Sequence, residues 1–255
     1  MDLMTIIGLA MGLFSVWYVM NLEKITSLLL NPISFILVFG GTISATMMSY
    51  PFKMLKVVPK AFIIMFFPSK RNSTTETINR LVQLSETAKR NGIDSLQNEI
   101  KTLTDRFMID GIQMIIDNLD PDTIRENLQK EIIFTRKRHQ QISGIFRTMG
   151  TYSPIFGLLG TLIGVVKVLK NLSDPTSMGK SMATGITTTF YGIFGANFIF
   201  LPVSAKLNAH SEDELLLKEV EIEGILAIQN GEIPILVKKK LEAFLAYKFR
   251  ARKGK

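Results

Sequence analysis

The chain has 255 residues, 47% of them hydrophobic, with a formal net charge of +8 and a mean hydropathy of +0.24. Apolar content beside such a basic balance suits a membrane protein with cationic parts outside the bilayer better than a soluble enzyme or a nucleic-acid binder. With no cysteine and only His139 and His210, disulfide and thiolate chemistry are excluded and a histidine-built metal site is disfavoured.

Residues 3–20 form a first apolar run, long enough to cross a bilayer. Asp2 stands where a signal peptide wants positive charge, and no small-residue cleavage site follows, so the run reads as a retained helix with Trp17 and Tyr18 near one interface. After the short link NLEKITS, Asn31 and Pro32 open a second span over 33–50, where Gly40, Gly41 and Thr42 mark a close helix contact. Beyond Pro51, Lys53, Lys56 and Lys60 alternate with apolar residues, and Lys70 and Arg71 follow. Residues 51–70 read either as a helix in the headgroup layer or as an ordinary basic connection.

Residues 71–146 carry apolar positions at helical spacing, among them Ile78, Leu81, Val82 and Leu84. Asn91-Gly92 breaks the pattern, and Asp120-Pro121-Asp122 reads as a turn and cap. The sequence predicts a helical cytoplasmic domain over 51–147, its last helix running into the third span. A second membrane hairpin follows over 148–205, with spans at 148–169 and 183–204. The tail, 206–255, begins with acidic helical sequence and ends in a basic run that either contacts anionic lipid or is solvated. Arg136, Lys137, Arg138 and Arg147 precede the third span and Lys206 follows the fourth, which places the insert, both termini and the tail in the cytoplasm. Lys167 and Lys170 run against that count and snorkel at the outer end. The expected fold is an all-α integral membrane protein of four transmembrane helices, with a helical cytoplasmic insert between the second and third and a helical cytoplasmic tail.

The second hairpin organises the rest. Its arms carry Gly150, Gly157, Gly160, Gly164, Gly185, Gly192 and Gly195 with Thr161, Thr184, Thr187, Thr188 and Thr189, yet no Asp, Glu or His between 150 and 166 or between 183 and 205. These small residues either only pack helices or also form a polar lining for a partner helix or hydrated ions. A proton or sodium carrier must come from elsewhere. Pro154 and Pro202 lie on the cytoplasmic side of the two arms, as hinges or as static kinks. No phosphate-binding loop, nucleophile elbow or zinc-protease motif stands out. The acids of ENLQKE and ELLLKEVEIE read as charged helix faces. An enzyme is not expected.

NPISFILVFGGT, YSPIFGLLGTLIG and TTTFYGIFGANFIFLPVSAKL, in this order and spacing, resemble the second, third and fourth spans of the MotA/PomA family of flagellar motor stator subunits. The resemblance covers essentially the whole chain. It implies a homopentamer around a dimer of a MotB-type subunit whose membrane helix bears the ion-carrying aspartate, in the cell membrane, with no nucleic acid involved. It implies that Thr161, Thr189 and Thr188 line an ion path for H+, with Na+ as the alternative. Pro154 and Pro202 then couple ion binding to ring motion, with no cofactor and no resident metal. The family engages the rotor protein FliG through charged residues, which Lys89 and Arg90 match. The usual acid falls on Gln97 in this chain, with Glu99 close by. The competing reading is an ExbB/TolQ-like energiser of envelope transport, which has three spans rather than four. A stand-alone channel would need its own intramembrane charge.

Overall fold

The computed structural model describes residues 3–24, 26–66, 73–170 and 172–245, and among them every regular element is helical. The principal helices are α1 (Leu3–Leu22), α2 (Pro32–Ser49), α3 (Val58–Phe66), α4 (Thr74–Asn91), α5 (Leu96–Ile100), α6 (Arg106–Ile116), α7 (Pro121–Lys170), α8 (Pro175–Gln229) and α9 (Pro234–Leu241). Lys70, Arg71 and the basic run after Leu245 lie outside the described residues.

Starts and stops follow local chemistry. Asn31 caps α2 by accepting from Ile33 N at 3.0 Å and Ser34 N at 3.2 Å, with Pro32 in the first turn, where its missing N–H is harmless. Ser73 and Glu76 form a reciprocal capping box on α4, which ends at Gly92 with φ +84°. Asp120 accepts from Thr123 N at 2.9 Å at the start of α7. The Thr123 hydroxyl, and after it that backbone bond, hold the Asp120 carboxyl below the usual carboxylate range.

The helices α1, α2, α7 and α8 are long and apolar enough to cross a membrane. The first two spans fall at Leu3–Leu22 and Pro32–Ser49, against the expected 3–20 and 33–50. The third and fourth are parts of longer helices: α7 runs 50 residues and α8 runs 55, each over twice the roughly 20 that a bilayer core requires. Two spans also contain something the sequence did not announce. Ile36–Gly40 in α2 and Gly195–Phe200 in α8 are π-helical turns, and Phe39 of the first lies 3.2 Å from where a Cβ on Gly195 of the second would sit. An extra residue per turn re-aims the side chains that follow it.

The described residues form two compact units, drawn from Met1–Ser69 with His139–Ala209 and from Lys70–Arg138 with His210–Lys255. These units group the expected segments as follows. The described residues 52–66 fall in the membrane unit, where Ala61, 2% exposed, is buried with Phe146, Phe200 and Val203. The described part of the tail from His210 shares one core with the insert. Ile78, Leu81 and Leu84 of α4 meet Phe107, Ile112 and Ile115 of α6, Ile124 and Leu128 of α7, Ile222 and Ile225 of α8, and Val237 and Leu241 of α9. Apolar stripes on five helices cannot each be satisfied alone, and burial drives them into one core.

Candidate functional site

In the membrane unit α7 and α8 run antiparallel along a seam of small residues. A Cβ on Gly157 would lie 2.9 Å from Thr188 O, one on Gly164 2.9 Å from Gly185 Cα, and one on Gly192 2.7 Å from Ser153 O. The obstacles are backbone, so no rotamer change relieves them. Only residues without a side chain permit this approach. The Ser153 hydroxyl, fully buried, donates to Gly192 O at 2.9 Å and ties the seam at one level.

Within this seam Thr161 and Thr189 come together. Their hydroxyls are hydrogen-bonded to each other, and Thr161 Oγ1 also lies 2.9 Å from Gly185 O and 3.2 Å from Gly157 O. Each hydroxyl has one proton for several acceptors, so the pair can exchange partners without moving a helix. Both side chains are half-buried. Thr188 does not join them. It is 1% exposed, packs against Gly160 and donates to Gly185 O at 2.6 Å, spending its hydroxyl on its own helix.

Pro154 lies inside α7, where its missing N–H leaves Gly150 O without the usual helix donor. Its Cα faces Gly192, 3.1 Å from where a Cβ there would be. Pro202 follows the π turn of α8 by two residues and lines a cavity of about 330 Å³ with Met4, Leu9, Phe198 and Lys206. Pro202 thus follows a turn where the helix ladder is already irregular, whereas Pro154 itself removes a rung from an otherwise continuous helix. Span two is fastened alongside: Asn31 Nδ2 donates to Thr184 Oγ1 and the Ser34 hydroxyl to Thr184 O, each at 3.3 Å, and Tyr191 OH donates to Leu29 O at 2.6 Å.

In the charged unit, Lys89 and Arg90 stand exposed in the last turn of α4. Lys89 Nζ donates to Gly231 O at 2.9 Å. Gln97 on α5 is exposed, but Glu99 is half-buried and paired with Arg80 at 3.2 Å. Glu99 is therefore turned to α4 and shares no ion pair with Lys89 or Arg90; the exposed acids nearest them in sequence are Glu86 and Asp94.

Sequence reasoning missed Glu221, which it read as part of a charged helix face. The residue is 1% exposed, and its Oε2 has no hydrogen-bond partner in the protein. Burial pushes its carboxyl up to about 8, with Asp105 and Glu131 adding repulsion and Lys218 opposing them. Lys218 Nζ is held 2.8 Å from Glu131 Oε1 and 4.2 Å from the centre of the Phe107 ring. The available signal was the density of apolar neighbours: Val220, Ile222, Ile225 and Leu226 leave no wet face around position 221. Among the described residues no group of three His, Cys, Asp or Glu side chains is placed to hold a metal ion.

Residues 99–220 match the model of the MotA/TolQ/ExbB proton channel family. The chain is 32% identical to chemotaxis protein PomA of Vibrio alginolyticus over 96% of both chains. Among solved structures it superposes on a chain of the C. jejuni MotAB structure with a TM-score of 0.92 at 26% identity, covering all of both chains. It does so on a chain of the flagellar MotAB stator complex from Bacillus subtilis with a TM-score of 0.90 at 30% identity, covering 96% of each. The seam, the four spans and these full-length similarities place this membrane protein in the MotA/TolQ/ExbB proton channel family, on its motility protein A and PomA branch.

Proposed function

We infer that the chain is the A-type subunit of a flagellar motor stator. In this reading five copies ring a dimer of a B-type subunit that brings the ion-binding aspartate, and ion flow turns one ring against the other. The observation that carries it is the seam itself, a hydroxyl-lined, glycine-tight pair of spans with no acid of its own. The same small residues that let two helices touch leave no room for a carboxylate, so the titrating group is supplied across the interface.

Thr161 and Thr189 are the hydroxyls offered to the path, and Thr188 supports them from behind. The carried ion is the proton, in keeping with the family's description, with sodium as the alternative; swimming speed in sodium-free medium, with and without a protonophore, separates the two. Loading and unloading a carboxylate in a low-dielectric wall changes the charge that the wall faces, which biases two packings of the surrounding helices. A potential of 100 mV adds about 2.3 kcal/mol per charge moved. Pro154 and Pro202 supply the compliance, and Lys89, Arg90 and Gln97 form the face offered to a rotor protein of the FliG type, with Glu99 beside them paired to Arg80. The termini and the charged unit are cytoplasmic. No enzymatic chemistry is assigned. Similarity over the full length to motility proteins favours this reading over an envelope-transport energiser.

Pro154→Leu tests the coupling. The variant is expected to assemble with its partner and support normal filaments while swimming is lost. Normal swimming of a Pro154→Leu strain would remove the hinge role.

A further inference from the structure

The membrane unit holds a second concavity, away from the seam. It lies where α2 gives way to the basic segment. Ile43 and Met47 of α2, Phe52 and Leu55 of the turn that follows, and Ile145 and Met149 of α7 enclose an apolar groove of about 340 Å³. Thr46 also lines it, but its hydroxyl is already given to Thr42 O at 2.7 Å. The Thr46 hydroxyl therefore has no proton left to donate to an occupant.

Charge gathers at its edge. Lys56 lines the groove, with its Nζ 4.9 Å above the centre of the Phe52 ring, and Lys53 and Lys60 stand exposed on either side of it in the sequence. From Lys24 to Thr75 the chain contains no acidic residue, and among the described residues none of these three lysines is in an ion pair. An apolar slot bordered by unneutralised ammonium groups matches one kind of molecule in its surroundings, a chain of methylenes ending in a phosphate.

We propose that this groove is a binding site for one acidic phospholipid per subunit, an acyl chain lying along Met47 and Met149 and the phosphate held by Lys56 with Lys53 and Lys60. In a ring of five the contact between copies is heterologous, so a neighbouring copy would have to bring a different, acidic patch to these lysines, and a crosslink from Met47 tells it from lipid. The site anchors the end of span two to the lipid and is independent of which ion the seam serves.

The test uses the intact complex with its B-type partner, extracted gently and examined by native mass spectrometry against added phosphatidylglycerol and phosphatidylethanolamine. The wild type retains phosphatidylglycerol in preference, about one per A subunit. Lys56→Gln weakens that retention about fivefold and leaves phosphatidylethanolamine unchanged, a factor set by about 1 kcal/mol per basic residue near a charged surface. Met47→Trp, which fills the slot without altering charge, reduces both lipids. Size-exclusion profiles confirm that each variant assembles. Equal retention by all three proteins, or equal retention of the two lipids by the wild type, overturns the proposal. So does a photo-crosslinking residue at Met47 that joins two A subunits rather than a phospholipid.

Discussion

The two units of this chain are built on opposite rules. The membrane unit buries Ser34, Thr42, Ser153, Thr187 and Thr188, and it turns Leu158, Leu162, Val166 and Ile186, all more than half exposed, towards its surroundings. The charged unit buries Leu81, Leu84, Leu96, Ile112 and Leu128 and carries its ion pairs near the surface. The contrast follows from the solvent. In water, burying apolar surface drives helices together; in lipid that drive is absent, so close backbone contact and hydroxyl bonds do the joining. A glycine in the first unit is thus equivalent in role to a leucine in the second.

Substitutions that swap the two rules should have the largest effects. Gly192→Val forces a side chain against Ser153 O and Pro154 Cα, and it should cost about 3 kcal/mol or more and abolish assembly with the partner. Gly179→Val, where a Cβ meets nothing within 4 Å, should assemble normally. Co-purification of the B-type subunit reads the difference. If both variants assemble equally, the seam is not what holds the hairpin.

Glu221 is the place where the charged unit breaks its own rule. Its folded-state pKa, about 8, lies above the ordinary 4.5. The stability linked to it is therefore complete below about pH 4.5, falls by roughly 1.4 kcal/mol per pH unit as pH rises, and is fully lost above about pH 8. Glu221→Gln should flatten that slope and raise the thermal midpoint of the complex at pH 8 more than at pH 6. An unchanged pH dependence would place the ionisable burden on another group.

A smaller effect separates function from folding. Thr161→Ala removes one hydroxyl from the pair but leaves helix carbonyls that are already bonded within the backbone. It should lower swimming speed severalfold with assembly intact, whereas Thr188→Ala should act chiefly on stability, by about 1 kcal/mol. The smallest is Glu99→Ala. Its pair with Arg80 is about one-third exposed on each side, and its removal should cost under about 1 kcal/mol in the melting of the charged unit.

Much of this was legible from local chemistry. The four spans, the caps at Asn31 and Asp120, the run of the insert into the third span and the absence of a titrating acid in the hairpin are local properties of composition and spacing. What was hidden depends on distance or on subtle geometry. A π turn inserts one residue and leaves no mark in Ile36–Gly40 or Gly195–Phe200 that an ordinary helix would lack. The shared core of insert and tail rests on contacts such as Leu81 against Gly224, over 140 positions apart. Glu99 looked free beside Gln97 because its partner, Arg80, lies a full helix earlier. Glu221 looked like a surface acid because Glu219 and Glu223 beside it do stand in partly exposed ion pairs, and only the helices that cover position 221 tell it apart.

In the proposed stator the hairpin is a polar wall without a charge of its own and becomes conductive only when a partner adds a carboxylate. Proton uptake into liposomes under an imposed potential tests it directly. Liposomes holding this chain alone should remain as tight as empty ones, and those holding the complex with an unblocked partner should fill. Proton flux through the chain by itself, at the rate of the complex, would contradict the account.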